Sequence, residues 1–183
     1  VLLLVLSTGP GLGKGVARLR VALKNWDYDT LDPHRTCCFE PLWVFANIVD
    51  TLTFLDERGA VLPWLATAWE PEDGTRTWKL KLRSGVRFHD GEALDSRTVK
   101  ENLERIRNPA TQSRRARGLL GDVESIDAPD PATVVMRFKT PRPDIPRLFS
   151  LGFFGLLSPR AFGPAQEARL VGSGPYVFVR EIP

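Results

Sequence analysis

Histidine, cysteine and methionine are scarce in this chain. Its 183 residues hold two histidines, two cysteines and one methionine. Two histidines leave no Ser-His-Asp set to assemble, and the two cysteines, Cys37 and Cys38, are adjacent, a placement in which a disulfide is strained and uncommon. Charge of one sign is lacking too: 25 Lys and Arg stand against 22 Asp and Glu, and a net +3 gives no electrostatic footprint for nucleic acid. No apolar run approaches the roughly 20 residues of a membrane-spanning helix. The longest notable run, VLLLVL at residues 1–6, reads either as the remnant of a secretory signal or as a short buried strand, with the signal favoured. No cysteine follows it to form a lipid-anchor box, and neither internal repeats nor low-complexity tracts occur. Fifteen glycines and fifteen prolines suggest many turns.

The patterning that is present is mixed α+β. Thr77-Trp78-Lys79-Leu80-Lys81-Leu82-Arg83 alternates strictly, so Trp78, Leu80 and Leu82 share one face of a strand. Pro71-Glu72-Asp73-Gly74 turns into it from a partner strand at 65–70. Asp95 is placed to cap a helix in which Val99, Leu103 and Ile106 recur at helical spacing and Asn108-Pro109 is the stop. A second hairpin spans 122–127 and 133–139, with Val134, Met136 and Phe138 inward. A first strand is expected at 19–24 and a short one at 52–55. A largely buried helix at 39–51 carries Phe39, Leu42, Trp43, Ala46 and Val49, widened by Phe45 and Ile48. A short helix at 143–151, a buried strand at 153–157 and a last strand at 176–180 complete the reading. The arginines between 105 and 118 are expected on an exposed loop.

Two segments mimic chemical motifs. Residues 7–15, STGPGLGKG, approach a phosphate loop, but Thr8 stands where glycine is needed and Gly15 where a serine or threonine would bind magnesium. A linker is the better reading, with a nucleotide-binding protein or enzyme as the alternative function. His34, Cys37 and Cys38 could hold a transition metal, yet adjacent cysteines do not easily share one tetrahedral ion, so the preferred reading is a turn histidine and two small buried thiols at a helix start. His89-Asp90-Gly91 is read as a turn. Trp26-Asp27-Tyr28-Asp29 ends the first strand, where an open sheet presents its crevice. Two readings stand for it: aromatic faces and carboxylates for an amine or sugar ligand, or rings capping the core.

Residues 62–108, with Leu31-Asp32-Pro33-His34 before them and Gly172-Ser173-Gly174-Pro175-Tyr176 after, resemble the family 5 (peptide, nickel and opine class) solute-binding proteins of bacterial ABC importers, over residues 19–180. The resemblance implies an α+β, periplasmic-binding-protein-like fold of class II type. It divides the chain into a signal remnant or linker at 1–18, the start of a large lobe at 19–50, a small lobe at 51–171 and a return to the large lobe at 172–183. Nothing matches the family's third lobe, so the chain is expected to be an N-terminal fragment. It implies a non-enzymatic periplasmic protein, free or peripheral to the inner membrane, that captures a peptide or small solute and meets membrane permease subunits. No cofactor, metal or nucleic acid is expected. Residues flanking Leu-Asp-Pro-His line the family's inter-lobe cleft, which makes Trp26, Asp27, Tyr28, Asp29, Arg35, Thr36 and Cys37 the candidate ligand contacts.

Overall fold

The computed structural model describes residues 29–163 and 169–179, together with the backbone of two short strands, Leu2–Val5 (β1) and Arg18–Val21 (β2). β1 lies within the apolar run and pairs antiparallel with β2, Leu3 opposite Arg20. The glycine-rich segment at 9–15, Trp26, Asp27, Tyr28 and Arg180 lie outside the described residues.

The main sheet is antiparallel, in the order β5-β6-β8-β7, from Ala66–Glu72 (β5), Thr77–Leu82 (β6), Val123–Asp130 (β7) and Thr133–Phe138 (β8). Alternation sets its register. Trp78 stands opposite Met136 and Leu80 opposite Val134, so both hairpins aim their apolar residues at one face. Trp78, Leu80, Leu82, Val134, Met136 and Phe138 are all buried there, as their spacing predicts. The β5–β6 turn is tight because Asp73, Gly74 and Thr75 all take positive φ.

Helix Ser96–Arg107 (α2) covers that face with Val99, Leu103 and Ile106. Asp95 caps it reciprocally: its carboxylate accepts from Thr98 N (2.9 Å) and Thr98 Oγ1 accepts from Asp95 N (3.0 Å). Asn108, extended as a residue before proline must be, ends it. A small hairpin of Thr53–Leu55 (β3) and Val61–Pro63 (β4) precedes the sheet. Helices Arg114–Leu120 (α3) and Ile145–Leu148 (α4) flank it. Among the described residues no helix is long and apolar enough to cross a membrane.

Four expectations need correction. The helix at 39–51 shrinks to Leu42–Phe45 (α1), followed by turns to Ile48. The carbonyls of Asn47 and Ile48 accept from Tyr176 N (3.0 Å) and Gly174 N (2.9 Å), so a returning chain segment takes the place of further helix. Phe39 and Trp43 are exposed, 55% and 73%, and only the Val44, Phe45, Ile48 and Val49 side is buried. Second, residues 153–157 are not a sheet strand: a 3₁₀ turn at Gly152–Phe154 leads into extended chain. The Asn102 amide, buried on α2, donates to Leu157 O (2.8 Å) and accepts from Leu157 N (2.9 Å), doing for this backbone what a neighbouring strand would. Third, the arginine stretch is no loop; Arg105 is buried within α2 and Arg114 to Arg117 lie on α3. Fourth, Tyr176 to Val179 form no strand, and Val177 and Val179 are exposed.

Among the described residues, nearly all buried apolar side chains fall into two clusters. The larger joins the sheet, α2 and Phe149, Phe153 and Phe154. The smaller joins Val44, Phe45, Ile48 and Val49 to Leu157 and Leu170, so it is built from the segments that precede and follow the sheet.

Candidate functional site

Asp32 and His34 of the Leu-Asp-Pro-His turn are buried at the base of the candidate region. Arg105 reaches them from α2. Its two terminal nitrogens donate to the two Asp32 oxygens, Nη1 at 3.1 Å, and Nη1 also lies 2.8 Å from His34 Nδ1. His34 Nε2 faces Gly155 O at 2.9 Å, an oxygen that only accepts. Nε2 therefore carries the proton and Nδ1 accepts from the guanidinium. Burial, with Arg105 acting in the same direction against the opposing pull of Asp32, lowers the His34 pKa to about 4, so the ring is neutral. Ser113 Oγ donates to His34 O (2.6 Å), which ties the turn to α3.

The turn presents residues 35–38. Thr36 is fully buried, and its hydroxyl donates to Asp29 Oδ1 (2.6 Å), while Cys37 N donates to Asp29 Oδ2 (2.8 Å). Burial tends to raise the Asp29 pKa, but these bonds outweigh it and hold the carboxyl below its ordinary value. Asp29, Thr36 and Cys37 are thus brought together. Thr36 acts by orienting Asp29, since its own surface is covered. Arg35 is half-buried and reaches Gln112 Oε1 at 3.5 Å. The thiols are not the buried pair expected: Cys37 is exposed and Cys38 half-buried. His34 is turned inward and away from them, and the carboxylate that joins the thiols is Asp29, all three ligand atoms lying within 4.8 Å of one another.

The next residue, Phe39, borders an apolar cleft of about 350 Å³. Its walls are Phe39, Trp43, Phe54 and Trp64, each more than 40% exposed, with Asp50 among the lining residues. Phe39 meets Phe153 edge to face (5.4 Å) and carries the Arg115 guanidinium 4.8 Å over its ring. Trp64 Nε1 donates to Asp50 Oδ1 and Ser173 Oγ to Asp50 Oδ2, both at 2.8 Å. Sequence reasoning missed this cleft. Its signal was the width of the apolar set around α1, too broad for a helix with one buried side.

Residues 172–176 close the region from below. His89 N donates to Gly172 O and His89 Nε2 to Gly174 O, both at 2.8 Å. The His-Asp-Gly turn and the Gly-Ser-Gly-Pro-Tyr segment are therefore halves of one junction. A Cβ on Gly172 would stand 2.1 Å from Ile48 O and 2.7 Å from Val49 Cα, where backbone cannot swing aside. Gly172→Ala is expected to cost about 3 kcal/mol, the upper part of the overpacking range. Urea unfolding measures it, and a variant as stable as the parent would show that the junction is looser than described.

Residues 60–183 match the family described as bacterial extracellular solute-binding proteins, family 5, middle region. The glutathione-binding protein GsiB of Escherichia coli strain K12 is 29% identical over 153 residues, which are 82% of this chain and 30% of that protein. The chain thus spans about 30% of the length of the curated relatives it matches. Among solved structures, the binding protein AgaA of A. tumefaciens R10, in complex with agropinic acid, superposes with a TM-score of 0.77 at 26% identity, over 85% of this chain and 32% of that one. Haemophilus influenzae OppA, in complex with RPPGFSPFR, shares the fold with a TM-score of 0.75 at 22% identity, over 84% of this chain and 34% of its own. The α+β architecture is that of part of a periplasmic binding protein, and the chain belongs to the family 5 bacterial extracellular solute-binding proteins.

Proposed function

We propose that this chain forms part of the solute-binding component of a bacterial ABC importer, one that captures a peptide or related small solute and delivers it to membrane permease subunits. The observation that carries this reading is the aromatic cleft. Four large rings, Phe39, Trp43, Phe54 and Trp64, stay exposed together around Asp50, while most other large apolar side chains among the described residues fill two cores. Rings beside carboxylates suit a ligand with an amino group and an apolar body. Asp29, Arg35 and Cys37, which precede Phe39 in the chain, are taken as further contacts, with Thr36 orienting Asp29 and Trp26, Asp27 and Tyr28 before them in sequence. The relatives named for, or solved with, glutathione, agropinic acid and a peptide support the solute class. A place in the periplasm, without nucleic-acid partners, follows from the same reading.

Residues 51–171 serve as the small lobe, while 19–50 and 172–183 belong to the large one. The smaller core, gathered from both flanks of the sheet, supports that division. The role is capture, not catalysis: His34 is buried and neutral, and His89 is committed to the 172–174 carbonyls. The alternative, a nucleotide bound at 9–15, falls on residues outside those described, and the solute-binding relatives favour capture over it.

Tryptophan fluorescence under titration with dipeptides, tripeptides, glutathione and metal chelates tests the proposal, because Trp43 and Trp64 sit on the cleft wall. A saturable, weak and fast-exchanging response is expected, since one wall leaves a ligand more hydrated than the 70–90% burial of good sites. Trp43→Ala should abolish it. No response to any member of the panel would remove the reading.

A further inference from the structure

The solute reading uses Cys37 as a contact but leaves Cys38, and the pairing of the two thiols, unexplained. Cys37 Sγ and Cys38 Sγ stand 3.7 Å apart on the same side of the chain. Consecutive side chains in an extended strand would point to opposite sides. Here the Thr36 hydroxyl accepts from Cys38 N (3.1 Å) while donating to Asp29, and Asp29 accepts from Cys37 N, so the backbone is folded around these three residues. Two thiolates at about 2.3 Å from one tetrahedral zinc lie about 3.8 Å apart. The observed separation is thus already the sulfur–sulfur edge of such a site, which removes the objection that adjacent cysteines cannot share an ion.

We propose that Asp29, Cys37 and Cys38 form a three-ligand site for a thiophilic divalent cation, zinc in the first instance, with the fourth position open to solvent. A carboxylate oxygen at about 2.1 Å would sit about 3.6 Å from each sulfur. The three ligand atoms already lie within 4.8 Å of one another, and the side chains of Asp29 and Cys37 are exposed and able to close the remaining distance. Thr36 Oγ1 and Cys37 N each donate to a different Asp29 oxygen, and a carboxylate oxygen has more than one lone pair with which to meet an ion. Those two bonds are the outer support that orients a ligating carboxylate. Two sulfurs and one oxygen select zinc or a softer ion over magnesium and calcium. The fourth position is left for water or for a donor atom of an incoming molecule, either of which would complete the tetrahedron.

The assignment shares Asp29 and Cys37 with the solute reading but does not rest on it, and its test contains no solute. The reduced 183-residue chain is titrated anaerobically with zinc against a chromogenic chelator, and with cobalt(II) as a spectroscopic stand-in. A single saturable equivalent is expected, with a thiolate-to-cobalt charge-transfer band and no competition from magnesium. Loss of outer-shell support alone costs roughly 10–100-fold in affinity, so Thr36→Val should weaken zinc at least about tenfold and Cys37→Ser or Cys38→Ser further still. Asp29→Asn should also weaken it, and C37S/C38S should abolish it. Cys37 is exposed, so Cys37→Ser is expected to melt with the metal-free parent, which separates lost ligation from lost folding. A reduced chain that takes no zinc overturns the proposal, as does zinc affinity unchanged in C37S/C38S or a cobalt complex without a thiolate band.

Discussion

Arg105→Ala should lower the free energy of unfolding by about 3–5 kcal/mol, the loss seen when one partner of a buried ion pair is removed. Both partners are almost wholly covered, with Arg105 at 3% and Asp32 at 3% exposure. The guanidinium grips both Asp32 oxygens and donates to His34 Nδ1, so truncation strands a carboxylate and a ring nitrogen together. Its aliphatic stem and its contact over the Phe162 ring (4.9 Å) are lost as well. Most of the cost is the stranded charge. The double variant Asp32→Leu/Arg105→Met should therefore recover most of the loss, because a well-packed apolar pair does about as well as a buried ionic one. Chemical denaturation of the four chains in the cycle measures this. A single variant within about 1 kcal/mol of the parent would show that the pair is solvated in solution.

The same network sets a pH dependence. His34 binds a proton near pH 6.5 when unfolded but only near 4 in the native chain. Its folded pKa is depressed, so the unfolded state binds more protons between these values and stability falls as pH drops from 6.5 to 4. Above 6.5 and below 4 this contribution is flat. At about 1.4 kcal/mol per unit, the full loss is of order 3 kcal/mol. Arg105→Ala removes a charge that opposes imidazolium, so the lower limb of the profile should move to higher pH in that variant. A profile identical to the parent's would mean that His34 does not feel Arg105.

What the sequence discloses here follows from how local each signal is. Trp78, Leu80 and Leu82 alternate within seven residues, and the strand pleat converts that spacing directly into a buried face. Asp95 and its helix are equally local, since cap and capped amide are three residues apart. Arg105 is the opposite case: its partners Asp32 and His34 lie more than seventy residues back, and among neighbouring arginines it reads as solvated surface. The extended run after Phe153 reads as a strand because its residues are apolar, whereas its hydrogen bonds come from an asparagine side chain on α2. Around α1, helical spacing marks Phe39 and Trp43 as core, but core and binding wall share the same composition. Exposure alone separates them, and it depends on residues 172–176 docking against Asn47 and Ile48. At the thiols, sequence adjacency argues against a shared ion, while the turn held by Asp29 and Thr36 reverses that geometry.

Trp78→Ala should cost about 3–5 kcal/mol, the range for truncating a buried aromatic residue. The ring is 5% exposed, lies in the larger core and stands opposite Met136 across the β6–β8 ladder. Its indole nitrogen also donates to Arg142 O (2.9 Å), so truncation leaves that carbonyl unpaired. Trp78→Phe keeps most of the apolar volume and loses the hydrogen bond, for about 1 kcal/mol plus a small cavity term. The comparison separates packing from bonding. Equal losses in the two variants would place the ring's contribution in the hydrogen bond and contradict the core assignment. The variant also tests how firmly the two cores are joined. Asn102 bonds Leu157 on both sides, and His89 bonds Gly172 and Gly174, so the larger core holds the segments that build the smaller one. Destabilising the sheet through Trp78 should therefore speed hydrogen exchange at the amides of Gly174 and Tyr176, which are bonded to Ile48 and Asn47 outside the sheet. Exchange there that stays at the parental rate would mean that the smaller core, and the cleft wall built on it, opens independently of the sheet.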